Sequence, residues 1–221
     1  MREVVLDTET TGLNIADGDR VIEIGCVEVV NRVRTGKYFH TYLKVDKESS
    51  AGALNVHGLT KEFLADKPEF KDIKQEYLDF LADSPLVIHN AKFDLGFLNN
   101  EHKLHDLRPI KNQIVDTLIY ARKKFPGSPA NLDALCKRFN IDATKRVKHG
   151  ALLDAELLAD VYLELTGGSQ IKLSLEQQRS KQPKAANIIK IDFPERKFEN
   201  SAAELAAHQN MLSKIKDNLW Q

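Results

Sequence analysis

The sequence predicts an α/β domain, and three observations carry that expectation. Short apolar or alternating runs of strand length recur at Val4-Val5-Leu6, Val21 to Val30, Tyr38 to Leu43, Leu86-Val87-Ile88 and Ile114-Val115. Amphipathic helical patterns are interleaved with them from residue 72 onward. With 221 residues, of which 42% are apolar, the chain can bury one full domain and still carry something extra.

The first run, Val4-Val5-Leu6, is β-branched and apolar, too short for a helix, and feeds directly into Asp7-Thr8-Glu9-Thr10-Thr11-Gly12. At a period of two, Asp7 and Glu9 point to the same side of the strand, where like charges repel and a cation relieves the cost. Hard carboxylate oxygens suit Mg²⁺ or Mn²⁺ better than zinc. Gly12 is expected at positive φ in the turn that follows. The second run, Val21 to Val30, alternates. A link from Asn31 to Lys37 containing Gly36 joins it to the third as a meander. Glu23 reads as an exposed edge carboxylate. Residues 46 to 68 read as irregular, apart from a short helix capped by Thr60 and ended by Pro68; His57 there reads, by itself, as a surface histidine.

Asp72 to Ala82 is patterned as a helix, with Ile73, Tyr77, Phe80 and Leu81 on one side. After Leu86-Val87-Ile88, Asn90 is expected to cap a helix whose first turn carries Asp94, where the helix dipole favours a charged carboxylate. Asn131 is expected to cap Leu132 to Phe139. A last helix, Ala151 to Leu165, ends at Gly167-Gly168 and holds Asp154 in its first turn. His149, just before it, suits a general base because imidazole titrates near working pH. The basic run Lys145, Arg146 and Lys148 suits phosphate contacts or plain solvation.

Lys and Arg number 32 and Asp and Glu 32, so the net charge is zero. Residues 169 to 221 carry an excess of three positive charges and residues 1 to 168 an excess of three negative ones. A negative body is unlike a passive DNA binder, and suits one whose acidic residues hold cations that meet phosphates. Cys26 and Cys136 are expected to be buried, reduced thiols. The chain enters a strand at once, leaving no room for a signal peptide, and no apolar stretch approaches the length of a membrane span. A cytoplasmic location is the expectation.

Asp7 and Glu9 after a strand, Asp94 after Leu86-Val87-Ile88-His89-Asn90, and His149 five residues before Asp154 together resemble the DEDDh (DnaQ-type) 3′-to-5′ exonucleases. The resemblance also takes in Asn55-Val56-His57-Gly58 and Asn131 to Cys136, covers residues 1 to 168, and is greatest to the proofreading branch serving bacterial replicative polymerases. It implies a ribonuclease-H-like fold: a mixed five-stranded sheet, its first three strands antiparallel, with helices on its faces. It also implies two divalent cations, Mg²⁺ or Mn²⁺. By it, Asp7 would bridge the ions, Glu9 and Asp154 would complete one coordination sphere, Asp94 would hold the second, and His149 would deprotonate the attacking water. Two such ions about 4 Å apart stabilise both oxygens of an in-line displacement. Thr10, Asn55, His57 and Asn90 would line the pocket for the terminal nucleotide, beside Asp7, Glu9 and Asp154. The sequence departs from the branch at Gly52, where an acidic residue is usual, so only a backbone contact to the nucleotide is left there.

Residues 169 to 187 are rich in Gln, Ser and Lys and read as a flexible linker. Within it Gln170-Ile171-Lys172-Leu173-Ser174-Leu175 is similar to peptides that dock bacterial replication proteins on the sliding clamp. Ile189 to Phe193 alternates like a strand. Ser201 to Glu204 forms a capping box, followed by a stripe at Leu205, His208, Leu212, Ile215 and Leu219 that has no neighbouring core. By resemblance, residues 188 to 221 attach to the alpha (polymerase) subunit of DNA polymerase III at the replisome on the nucleoid, with a further small core subunit as another partner. Three rival readings remain at this level: an aspartate-nucleophile phosphatase, a scaffold without catalysis, and an RNA-trimming exonuclease.

Overall fold

The computed structural model describes residues 1–144, 146, 148–167 and 200–215. Five strands form one mixed sheet in the order β3-β2-β1-β4-β5. β1 (Arg2–Thr10), β2 (Val21–Val30) and β3 (Val33–Tyr42) run antiparallel; β4 (Leu86–Ile88) and β5 (Ile114–Asp116) continue from β1 in parallel. The implied sheet is the one observed.

Alternation along β1 divides the core. Val4 and Leu6 pack with Cys26, Tyr77, Ile88 and Leu98 under helices α3 (Phe70–Leu81) and α4 (Ala91–Leu104). Val5 packs on the opposite face with Val27, Val87, Leu135 and Leu158, under α5 (Thr117–Lys124), α6 (Leu132–Phe139) and α7 (Ala151–Leu165). Both cysteines are free and buried.

Several local expectations are corrected. β1 does not stop before the acidic motif: β2 pairs with it as far as Thr10, so Asp7 and Glu9 lie within the strand. Gly12 is not at positive φ; a Cβ there would meet the Asp19 carboxylate at 2.2 Å, so the glycine provides space for that loop contact. The β2–β3 turn is only Asn31 and Arg32, at φ 52° and 68°, the left-handed pair of a tight hairpin. Residues 51 to 57 are not irregular but form α1 (Ala51–His57), capped by Ser50, whose hydroxyl accepts from Ala53 N. The short helix α2 (Lys61–Leu64) is capped by Thr60 as expected.

One backbone contact sets the position of the last helix. Gly25 on β2 lies opposite Asp7 on β1. A Cβ at Gly25 would meet the backbone of Ala151 and Leu152 at 2.3 Å, so the first turn of α7 rests directly on the strand. Because the obstacle is backbone, it cannot rotate away. Gly25→Ala is therefore expected to lower stability by about 1–3 kcal/mol. Urea unfolding is the measurement, with Gly96→Ala, mid-helix in α4 and with its added Cβ meeting only a side-chain methyl at 3.5 Å, as the comparison expected to hold or raise stability.

The separate C-terminal unit contains α8 (Ala202–Leu212). Its capping box is formed: Ser201 Oγ accepts from Glu204 N, and Ser201 N donates to Glu204 Oε2. The linker 169–187, its clamp-like peptide and the alternating Ile189 to Phe193 lie outside the described residues.

Candidate active site

A cavity of about 360 Å³ opens at the carboxyl end of β1. β1 supplies Asp7 and Glu9, α4 supplies Asp94, α7 supplies Asp154, and the segment before α7 supplies His149. The sheet geometry explains the convergence. Asp7 and Glu9 are on the Val5 side of β1, facing α7, which Gly25 admits closely; Asp94 reaches the same strand end from α4. Thr8 holds Asp94 there, donating from N at 3.1 Å and from Oγ1 at 2.7 Å to Asp94 Oδ1. Ligand atoms of Glu9, His149 and Asp154 all lie within 4.8 Å of one another.

Crowding shows in the acidities. Burial, then the charges of Asp94, Asp154 and Glu9, push Asp7 well above the usual carboxylate range. Burial, then Asp154 and Glu23, push Glu9 up to about 8. Burial pushes Asp94 up to about 7 against the Thr8 hydrogen bonds. Four carboxylates in one cavity call for more positive charge than the protein provides. Their oxygens are hard donors of the kind that hold Mg²⁺ or Mn²⁺, so the donor set fits divalent ions.

Glu23 is not an exposed edge group. It is 2% exposed, pairs in register with Glu9, and its Oε1 lies 2.7 Å from His40 Nε2. The histidine gives the buried Glu23 carboxylate a polar partner across the β2–β3 hairpin.

Among the other expected site residues, Asn90 lines the cavity at φ 66°, but its side chain caps nothing; Asp116 on β5 instead accepts from Ala91 N at 3.0 Å. Asn tolerates this left-handed conformation, leaving its amide uncommitted to the helix end. Thr10 closes β1, with Oγ1 donating to Gly12 O. Gly52, Asn55 and His57 are carried by α1, outside that cavity's lining. A Cβ at Gly52 would meet Ser50 Oγ at 4.0 Å, an ordinary contact. His57 is buried rather than on the surface, and its Nδ1 accepts from Leu59 N. α1 is tied to the histidine segment by Lys148 Nζ donating to Asn55 O at 2.6 Å and His149 N donating to Val56 O at 3.2 Å.

The sequence reading missed the place of Arg146. Its side chain is 7% exposed and lies inside the carboxylate cluster. Nε donates to Asp154 Oδ1 at 2.5 Å, Nη2 to Asp154 Oδ2 at 2.6 Å and to His149 Nδ1 at 2.8 Å, and Nη1 to Asp133. Lying in a run of three basic residues, it carried no signal separating it from its solvated neighbours. Phe93, His89 and Asp133 also line the cavity without having been anticipated.

Known proteins resemble this chain over most of its length. A family model described as Exonuclease matches residues 4–162. The chain is 45% identical to the DNA polymerase III subunit epsilon of Rickettsia felis, over 97% of each chain. It is 44% identical to that of Escherichia coli K12, over 100% of this chain and 97% of the relative. Among solved structures, Exonuclease X in complex with 5′ overhanging duplex DNA superposes with a TM-score of 0.59 at 24% identity, covering 74% of this chain and 90% of that one. The nuclease domain of 3′hExo, a DEDDh family member bound to rAMP, gives a TM-score of 0.63 at 16% identity, covering 75% and 91%. The structural likenesses bear on the fold.

Metal-free protein should show the crowding as pH-dependent stability. A carboxyl raised in the folded state, as Glu9 is from 4.5 to about 8, keeps a proton that the unfolded chain has already released. The folded state is therefore favoured at low pH, and that contribution is lost as pH rises through this window. Melting temperatures in EDTA are expected to fall across it, and Mg²⁺ to restore most at the alkaline end.

Proposed function

The chain belongs to the exonuclease family, and we propose that the cavity at the end of β1 hydrolyses the 3′-terminal phosphodiester of DNA to proofread replication. The reaction is 3′-to-5′ removal of terminal nucleotides, mispaired ones above all, as nucleoside monophosphates. The observation that carries this reading is the convergence of Asp7, Glu9, Asp94, Asp154 and His149 in one cavity.

Asp7, Glu9, Asp94 and Asp154 would hold the divalent ions that the family implies, Mg²⁺ or Mn²⁺ by donor chemistry. Such ions, when bound, stabilise the attacking and leaving oxygens of an in-line displacement. His149 takes the proton of the attacking water as its oxygen bonds to phosphorus; the bond from phosphorus to the 3′ oxygen of the shortened strand breaks. Thr10, Gly52, Asn55, His57 and Asn90, beside Asp7, Glu9 and Asp154, receive the terminal nucleotide. The link from Lys148 and His149 to α1 supports placing nucleotide pocket and base side by side.

The division into an exonuclease domain (1–168), a linker (169–187) and a polymerase-binding tail (188–221) belongs to the same proposal. So do clamp docking through Gln170–Leu175, the alpha subunit and a small third subunit as partners, and a cytoplasmic site at the replisome. Support for the tail comes from α8, where Leu205 and Met211 are half exposed on a capped helix. No helix among the described residues is long and apolar enough to cross a membrane.

Asp7→Ala and His149→Ala are each expected to lose about 100-fold or more of the nuclease rate, the scale set by losing a general base, while remaining folded. The assay follows shortening of a 5′-labelled DNA primer, paired, mispaired or single-stranded, in Mg²⁺ or EDTA, beside an RNA version. Unchanged activity in either variant overturns the site; a ladder on RNA alone moves the reading to an RNA-trimming enzyme.

A further inference from the structure

Arg146 makes three contacts whose combination has a chemical consequence. Its fork occupies both carboxylate oxygens of Asp154, at 2.5 and 2.6 Å, and Nη2 also reaches His149 Nδ1 at 2.8 Å. A guanidinium only donates, so His149 Nδ1 must be the acceptor. The neutral imidazole then carries its one proton on Nε2 and has no lone pair left with which to take another. The 3.3 Å approach of His149 Nδ1 to Asp154 Oδ2 is for the same reason not an ion pair. Asp133, two-thirds exposed at the rim, accepts from the other arm of the fork and gives the guanidinium a hold that belongs to neither functional group. Among the described residues no Lys or other Arg lines the cavity.

We propose that Arg146 is a latch that withholds Asp154 from the metal and His149 from the attacking water together, so that metal entry at Asp154 releases the base. The inference rests on the metal-ligand and general-base roles given above to Asp154 and His149. A divalent ion held by Asp154 would sit beside the guanidinium bonded to both of its oxygens, and repulsion between the two positive charges at that distance drives the fork off. Once the fork leaves Asp154 it also leaves His149, because Nη2 serves both. Asp133 is placed to retain the displaced guanidinium at the mouth of the cavity. Base and metal thus come into play as one event.

The test uses the full chain and two readouts that do not depend on turnover. Imidazole nitrogen shifts of His149, followed by NMR during a Mg²⁺ titration, should move from an acceptor Nδ1 to a released one in step with metal occupancy. In Arg146→Gln the released signature should be present before any Mg²⁺ is added. Mn²⁺ binding, followed by electron paramagnetic resonance, should tighten at least about tenfold in Arg146→Gln, the worth of a charge-assisted hydrogen bond lost from the competing state. Arg146→Lys keeps the charge but not the fork. It should free His149 like the Gln variant, which a purely long-range charge effect would not do. A His149 signature indifferent to Mg²⁺ in the unaltered protein, or Mn²⁺ affinity unchanged or weakened in Arg146→Gln, overturns the latch. An active His149→Ala enzyme would instead overturn the general-base assignment, and the Mn²⁺ competition would still be read separately.

Discussion

Repulsion among carboxylates gathered at one strand end is the constraint around which this domain is arranged. Asp7, Glu9, Asp94 and Asp154 share a largely buried space, and Glu23 adds a fifth acidic group behind Glu9. Left uncompensated, such a cluster would drive the elements apart. Three of the five are met in different ways: Thr8 donates twice to Asp94, His40 meets Glu23, and Arg146 covers Asp154. Asp7 is pushed up by burial and by the charges of Asp94, Asp154 and Glu9 together, which is the condition in which a divalent cation gains most.

Function and stability therefore pull against each other at the same residues. Among the described residues, left-handed non-glycine backbone is confined to turns and caps such as Asn31, Arg32 and Asn90, while the sheet beneath the site is regular except at two register shifts. One of these falls between Glu9 and Thr10, where β1 leaves the pairing just past the cluster, and the chain there turns into the loop held by Asp19. The electrostatic cost is carried by packing on both faces of β1, whose Val4, Val5 and Leu6 are fully buried.

The strands and the long helices were legible because their periodicities are local: β1, β4 and α7 each announce themselves in a few residues. The caps at Thr60, Asn131 and Ser201 were legible for the same reason. The five expected site residues were legible through the family resemblance that their combined pattern carries, and the fold brings all five together. What escaped depends on distant partners. Glu23 looked exposed because nothing near it in sequence reveals His40 across the hairpin. Asn90 looked like a cap because Asp116, which does the capping, lies 26 positions away. Arg146 looked like one of three solvated cations because its partners Asp133, His149 and Asp154 converge only once α6 and α7 pack together. The helix α1 escaped because Ala51 to His57 has two turns at most and its nucleus, costly for a short helix, is supplied by Ser50 and Gly58 rather than by periodicity.

The rest of α7 on Gly25 has a bearing on how the site can be dissected. The spacing between the sheet and α7 is fixed at β2 by main chain against main chain, so the side chains at the end of β1 occupy a frame they do not build. Replacing a carboxylate by its amide changes what the cavity can hold without relaxing its width. Kinetic differences among such variants accordingly report on chemistry at a constant geometry. A change at Gly25 does the reverse, leaving every reacting group in place chemically while altering the distances between them.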